Sequence, residues 1–264
     1  MGRTLQEWRR LLLHTAGAGL PAEFLAHFRA VNEEPGPEAL GGSGPAGVDQ
    51  VIAQARAWVG GFEDDAGHRR DVDTPFLCRC LSHLPAGEMP AGVSELARAW
   101  WALDRPRELE PLRIDEGAGG ALMPWLRETG VESWTETELG VMHALVWHGI
   151  AGRSKAVLER AFRAAVWMLD NLQPDNATNH PWAAHLFIAI ALDPTRPEGE
   201  RGAADLYAQS LLHNAVVHQG RPDRFSAIIL WDAERCLSAL TQVRWQRAPA
   251  CVRHLSLAAR DFGV

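Results

Sequence analysis

The chain has 264 residues, 47% of them apolar, and a formal net charge of −7. That length and apolar fraction allow one large domain with a sizeable core. The acidic balance argues against a nucleic-acid backbone as the main partner, which needs a basic face.

No run of about eighteen apolar residues occurs, so no membrane span is expected. Eleven tryptophans stand against one tyrosine, which points to bulky helix junctions or an aromatic-lined cavity. Near the N-terminus, Glu7 and Arg9 interrupt the apolar run. The stretch therefore predicts an amphipathic helix and not a signal peptide, and a cytoplasmic location is expected. Cys78, Cys80, Cys236 and Cys251 do not suggest a disulfide framework at this size. Buried thiols in a reducing compartment are the expectation.

Residues 4–16 and 22–31 read as a helical pair, with Pro21 opening the second helix, so 1–32 forms an N-terminal unit. Residues 33–47 (EEPGPEALGGSGPAG) form a Gly/Pro-rich linker or lid. From residue 48 the pattern becomes regular: helix 48–60 carries Ile52, Ala55 and Val59 on one stripe. A charged turn at 63–71 follows, then helices 74–84, 92–103 and 119–129. The stretch 130–134 reads as a turn, with Thr135 and Glu138 forming a capping box for helix 135–150. Helices 154–172, 178–192, 198–218 and 225–243 complete the set, with Pro181 in a first helical turn. No strand is expected. The repeat region is 48–243 and the tail 244–264, all within one structural domain.

The repeat carries most information. TPFLCR at 74–79 aligns with HPWAAH at 180–185, and less closely with ELGVMH at 138–143. Each copy follows a segment with a tryptophan near its end: Trp58, Trp125 and Trp167. Helix pairs that recur at roughly 40–65 residues must stack on neighbours to bury their faces. An open solenoid and a ring of hairpins with inner and outer helices both satisfy that need.

Arg163-Ala164-x-x-Trp167-Met168, followed by Gln173, resembles the QW repeat of squalene cyclases and of prenyltransferase β-subunits. Gly130-Val131-Glu132-Ser133-Trp134 is similar to the Gly-x-Trp end of such a repeat, with an insertion. The likeness spans about 48–240. It implies an all-α fold, an α/α toroid, whole or incomplete, around a central cavity. It further implies a small, largely apolar ligand and a terpene-cyclase-like isomerase or lyase activity. Asp71-Val72-Asp73-Thr74 matches part of the Asp-x-Asp-Asp acid motif of such cyclases and lacks the last acid. No metal or other cofactor is implied.

In a ring, the inner helices would begin near Thr74, Thr135, Thr178 and Phe225, and their starts would share one mouth. The candidate catalytic residues are Asp71, Asp73, Glu138, His180 and Asp232. The candidate ligand-binding residues are Glu136, His143, Asn176, Asn179, Trp182, His185, Asp223 and Arg224. Crowded carboxylates there repel one another and suit acid catalysis. Capping of helix N-termini serves many of the same residues. The pairs His143/His148, His180/His185 and His213/His218 are spaced five residues apart, about 140° around a helix. One pair therefore does not share a ligand, but His143 and His185 hold matching repeat positions and could face one cavity. Asp232 follows Trp231 in an apolar helix, and a buried carboxylate needs a partner.

Two alternatives remain open. Asn179-His180-Pro181-Trp182-Ala183 resembles a shortened Asn-Asn-His-x-x-Trp segment of α/α-toroid alginate lyases. That resemblance implies a uronate lyase using Asn179, His180 and Tyr207. The other alternative is a non-catalytic helical-repeat scaffold.

Overall fold

The computed structural model describes residues 2–20, 59, 62–63, 69–70, 74–80, 94–102, 120–123, 130–172, 180–217, 219–242 and 249–255. Among them the protein is helical apart from one two-residue antiparallel ladder. That ladder joins β1 (Phe62–Glu63) to β2 (Arg69–Arg70), with Phe62 opposite Arg70. It departs from the strand-free expectation by folding the ends of the charged turn together. The helices are α1 (Leu5–Gly19), α2 (Thr74–Cys80), α3 (Glu95–Trp101), α4 (Val131–Ala151), α5 (Lys155–Asn171), α6 (Ala184–Leu192), α7 (Glu198–Val216) and α8 (Arg224–Gln242). A 3-10 turn, Ala250–Val252, follows. The expected helices 22–31 and 48–60 and the linker 33–47 lie outside the described residues, except Val59.

Local chemistry sets the outer ends. Thr4 caps α1 and Glu7 returns the bond to the Thr4 N–H, a complete capping box. Leu5, Trp8, Leu12 and Ala16 recur at helical spacing and are all buried, which lays α1 along α8. Arg9 Nε donates to Glu234 at 2.7 Å across that seam. At its end, a Cβ on Gly19 would sit 2.8 Å from the Pro222 carbonyl and from Ala227 Cβ, so only glycine allows this approach.

The helices sort into inner and outer members. Every residue of α4 from Leu139 to Ile150 is buried, and so is all of α6 from Ala184 to Ile190. These two helices are apolar all round, which marks them as central. By contrast, α5 and α7 bury one stripe each, Leu158/Ala161/Phe162/Ala165 and Ala204/Tyr207/Ala208/Leu211. They pack outside α4 and α6 respectively, while α8 touches both α4 and α6. A single core results, from Trp8 and Trp100 through Trp182 to Leu255.

Two helix starts differ from the sequence expectation. α4 begins at Val131, so of the expected turn 130–134 only Gly130, the N-cap, lies outside the helix. Thr135 and Glu138 therefore lie inside the helix and do not form a capping box: the Thr135 hydroxyl donates to the Val131 carbonyl at 2.7 Å. α6 begins at Ala184, not near Thr178, and His180–Ala183 is a turn. Pro181 precedes the helix. Ala183 itself takes the left-handed conformation, φ 56° and ψ 13°. Likewise, described residues 120–123 are bends where helix 119–129 was expected.

A buried polar centre as candidate functional site

Residues of α2, α3, α4 and α8 and of the turn before α6 meet around a cluster of aromatic rings. Phe76 of α2 lies 4.9 Å from Trp100 of α3, 4.7 Å from Trp182 and 5.7 Å from Phe225 of α8. His143 of α4 sits 5.6 Å from Trp100 and 5.5 Å from Trp182. Side chains fill this space: Phe76, Trp100 and Trp182 show no exposure.

Below the rings lies a polar cluster built on helical spacing. His143 and Trp147, four apart on α4, face Asp232 and Cys236, four apart on α8. His185 enters from α6, its ring 4.3 Å from that of His143. The carboxylate of Asp232 is fully buried, and its Oδ2 accepts from Trp147 Nε1 at 2.8 Å. His143 Nε2 lies 3.2 Å from the same oxygen. On the other side of the ring, the Ala183 N–H donates to His143 Nδ1 at a long 3.3 Å. The left-handed turn at Ala183 is what aims that N–H.

Two guanidinium groups supply compensating charge. Arg79 of α2 lies over the Trp147 ring at 3.9 Å, and Arg235 reaches within 3.8 Å of Asp232 Oδ1. Burial acts to raise the Asp232 pKa, but His143, Arg79 and Arg235 outweigh it and hold the group well below the usual carboxylate range. Burial holds His143 and His185 neutral, His185 most strongly, with His143 beside it. It also pushes the Cys236 thiol up, and Asp232 adds to that.

His185 is the unusual member. It is fully buried, and neither Nδ1 nor Nε2 has a hydrogen-bond partner. A neutral imidazole carries one donor and one acceptor, and leaving both unmet in a core is costly. His143, His185 and Cys236 each offer one ligating atom, all within 4.8 Å of one another.

A second polar group stands at the turn before α6. Glu136 Oε1 accepts from Trp182 Nε1 at 2.7 Å and lies 2.5 Å from His180 Nδ1. This fixes the His180–Ala183 turn against α4. The remaining candidates have structural duties. Glu138 accepts two backbone N–H groups, from Leu122 at 2.6 Å and Met123 at 2.8 Å. Asp223 Oδ1 caps α8 through the N–H groups of Phe225 and Ser226, and Arg224 is exposed. Tyr207 lies on α7, stacked 4.2 Å from Phe187, with its hydroxyl buried and unpartnered. Asp71, Asp73, Asn176 and Asn179 lie outside the described residues.

The structure thus joins His143, Trp182, His185 and Asp232 in one centre, and Glu136 with His180 beside it. Sequence reasoning gave Cys236 no role beyond excluding a disulfide framework and left out Trp147, Arg79 and Arg235. The i, i+4 match of His143/Trp147 with Asp232/Cys236 was the available signal. No described helix is long and apolar enough to cross a membrane. Compared with protein-family models, with curated proteins and with solved structures, the chain matches none.

Proposed function

We propose that the hairpins form an α/α toroid, whole or incomplete, with α2, α4, α6 and α8 as inner helices, and that its centre binds a small, largely apolar molecule. The observation that carries this reading is His185, fully buried beside the His143 ring with both nitrogens unpartnered. A ligand with one polar head and an apolar body suits these surroundings: the head would bond the imidazole, and the aromatic side chains that fill the centre would have to move apart to admit the body.

A terpene-cyclase-like conversion is the catalytic form of this reading. Asp232, held ionised, is then unsuited to donate the initiating proton. It is suited to stabilise a carbocation, together with the faces of the neighbouring tryptophans. Proton donation falls to Asp71 or Asp73. For the uronate-lyase alternative, the burial of Tyr207 pushes its pKa up and makes it a poor base. The scaffold alternative leaves the unpartnered nitrogens of His185 without a purpose.

The test is tryptophan fluorescence of the protein titrated with isoprenoid alcohols, with products sought by gas chromatography after incubation with linear isoprenoids. Saturable quenching that His185→Ala abolishes supports the binding half. A product lost in Asp73→Asn supports the catalytic half. No saturable change with any isoprenoid would remove both.

A further inference from the structure

We propose that His143, His185 and Cys236 are the ligands of a divalent transition-metal ion of the zinc class, with the Asp232 carboxylate beside them. The inference names a cofactor for the same centre and rests on the reading that His185 serves a bound group. It does not depend on the organic ligand being an isoprenoid.

Three observations point to an ion and not to ordinary core packing. First, three helices each contribute a ligating side chain with no exposed atoms to spare: α4, α6 and α8 bring His143, His185 and Cys236 to within 4.8 Å, all fully buried. Around a tetrahedral ion with bonds of about 2.0–2.3 Å, ligand atoms sit roughly 3.3–3.7 Å apart. Small side-chain rotations close that difference. Second, both nitrogens of His185, fully buried, have no hydrogen-bond partner. Orphaned buried polar atoms of this kind ask for a missing ion or water. Third, a fully buried carboxylate stands beside the set, with Asp232 Oδ2 3.2 Å from His143 Nε2. It supplies negative charge that compensates a divalent cation in a site without solvent.

The donor chemistry sets the class of ion. Two imidazoles and a thiol form a nitrogen and sulfur set, which suits zinc and disfavours magnesium or calcium. Binding releases the Cys236 proton to solvent and forms a metal–thiolate bond, with no change of oxidation state. It places the His143 proton on Nδ1, so the long Ala183 contact at 3.3 Å is given up. The surrounding groups are then the outer shell: Trp147 donates to Asp232, and Arg79 lies over Trp147.

The experiment is cobalt(II) titration of untagged, chelator-stripped protein, followed by absorbance, with zinc content measured by mass spectrometry on protein grown in zinc-supplemented medium. The expected result is about one ion per chain and tetrahedral cobalt bands with a thiolate charge-transfer band in the near ultraviolet. Cys236→Ser should lose the charge-transfer band while retaining helical circular dichroism, and His185→Ala should weaken cobalt binding at least about tenfold. Cobalt spectra without a thiolate band in the wild type would overturn the proposal. So would zinc retained at wild-type stoichiometry in both variants. If Cys236→Ser does not fold, the wild-type spectrum alone decides. Should isoprenoid quenching depend on His185 in a chain that takes up no cobalt, the metal fails and the ligand reading stands. Metal uptake without isoprenoid binding gives the converse.

Discussion

Glu138 and Arg160 grip the same short segment from opposite chemical sides. The Glu138 carboxylate accepts the N–H groups of Leu122 and Met123, and the Arg160 guanidinium donates to the carbonyls of Gly120 and Ala121 at 2.9 and 2.8 Å. Burial pushes the Glu138 carboxyl up to about 7 from 4.5, against the pull of its two N–H donors and Arg160. The group therefore holds its proton more tightly folded than unfolded. Its contribution to stability is complete below about pH 4.5 and is lost as pH rises through about 7. At about 1.4 kcal/mol per unit, the ceiling is about 3 kcal/mol. Urea midpoints measured from pH 4.5 to 8 should fall with rising pH in the wild type, and Glu138→Gln should flatten the slope. An unchanged slope in the variant would assign the effect elsewhere.

Asp232 anchors the centre, because Trp147 and two guanidinium charges address it. Asp232→Asn removes the charge and retains one acceptor. It should cost about 2–4 kcal/mol in urea unfolding, through Arg79 and Arg235 left facing a neutral group. A loss below about 0.5 kcal/mol would show that the cluster contributes little to folding.

Tyr207→Phe should move stability in the opposite direction. The hydroxyl is buried without a partner, so its removal relieves an unmet polar group. A gain of about 0.5–1 kcal/mol in thermal or urea unfolding is expected. A clear loss would mean that the hydroxyl has a bonded water or ligand. The same variant tested on uronate polymers addresses the lyase alternative, since that chemistry requires the phenol.

Gly19→Ala should be destabilising by about 1–3 kcal/mol. Its added methyl group would meet the Pro222 carbonyl at 2.8 Å, a backbone atom that cannot step aside. The reading is a shifted unfolding midpoint at unchanged slope. Gly199→Ala, with open space around its Cβ in α7, should be neutral or slightly stabilising and serves as the control.

The helices were legible where local chemistry alone decides. Ser154 caps α5 through the Val157 N–H, and the apolar stripe after it repeats at helical spacing. His143 and His185, which hold matching repeat positions in the sequence, lie with their rings 4.3 Å apart. Tertiary contacts hid the rest. Thr135 and Glu138 carry the letters of a capping box, yet Glu138 is recruited by a segment at 122–123. Nothing local announces that Ala183 adopts a backbone conformation normally left to glycine, at a cost of roughly 1–2 kcal/mol. Proline-led starts at 74 and 180 look alike in one dimension, but only the first lies within its helix. Cys236 has no spacing partner along the chain, so its place beside two histidines emerges only when α4, α6 and α8 pack.

Trp147 touches every charged part of the centre at once: a carboxylate on its indole N–H and a guanidinium across its face. An indole so placed feels a strong, directed electric field. Its emission colour should therefore track any rearrangement of the cluster. Substituting the other tryptophans by phenylalanine would leave a native optical gauge that needs no attached dye.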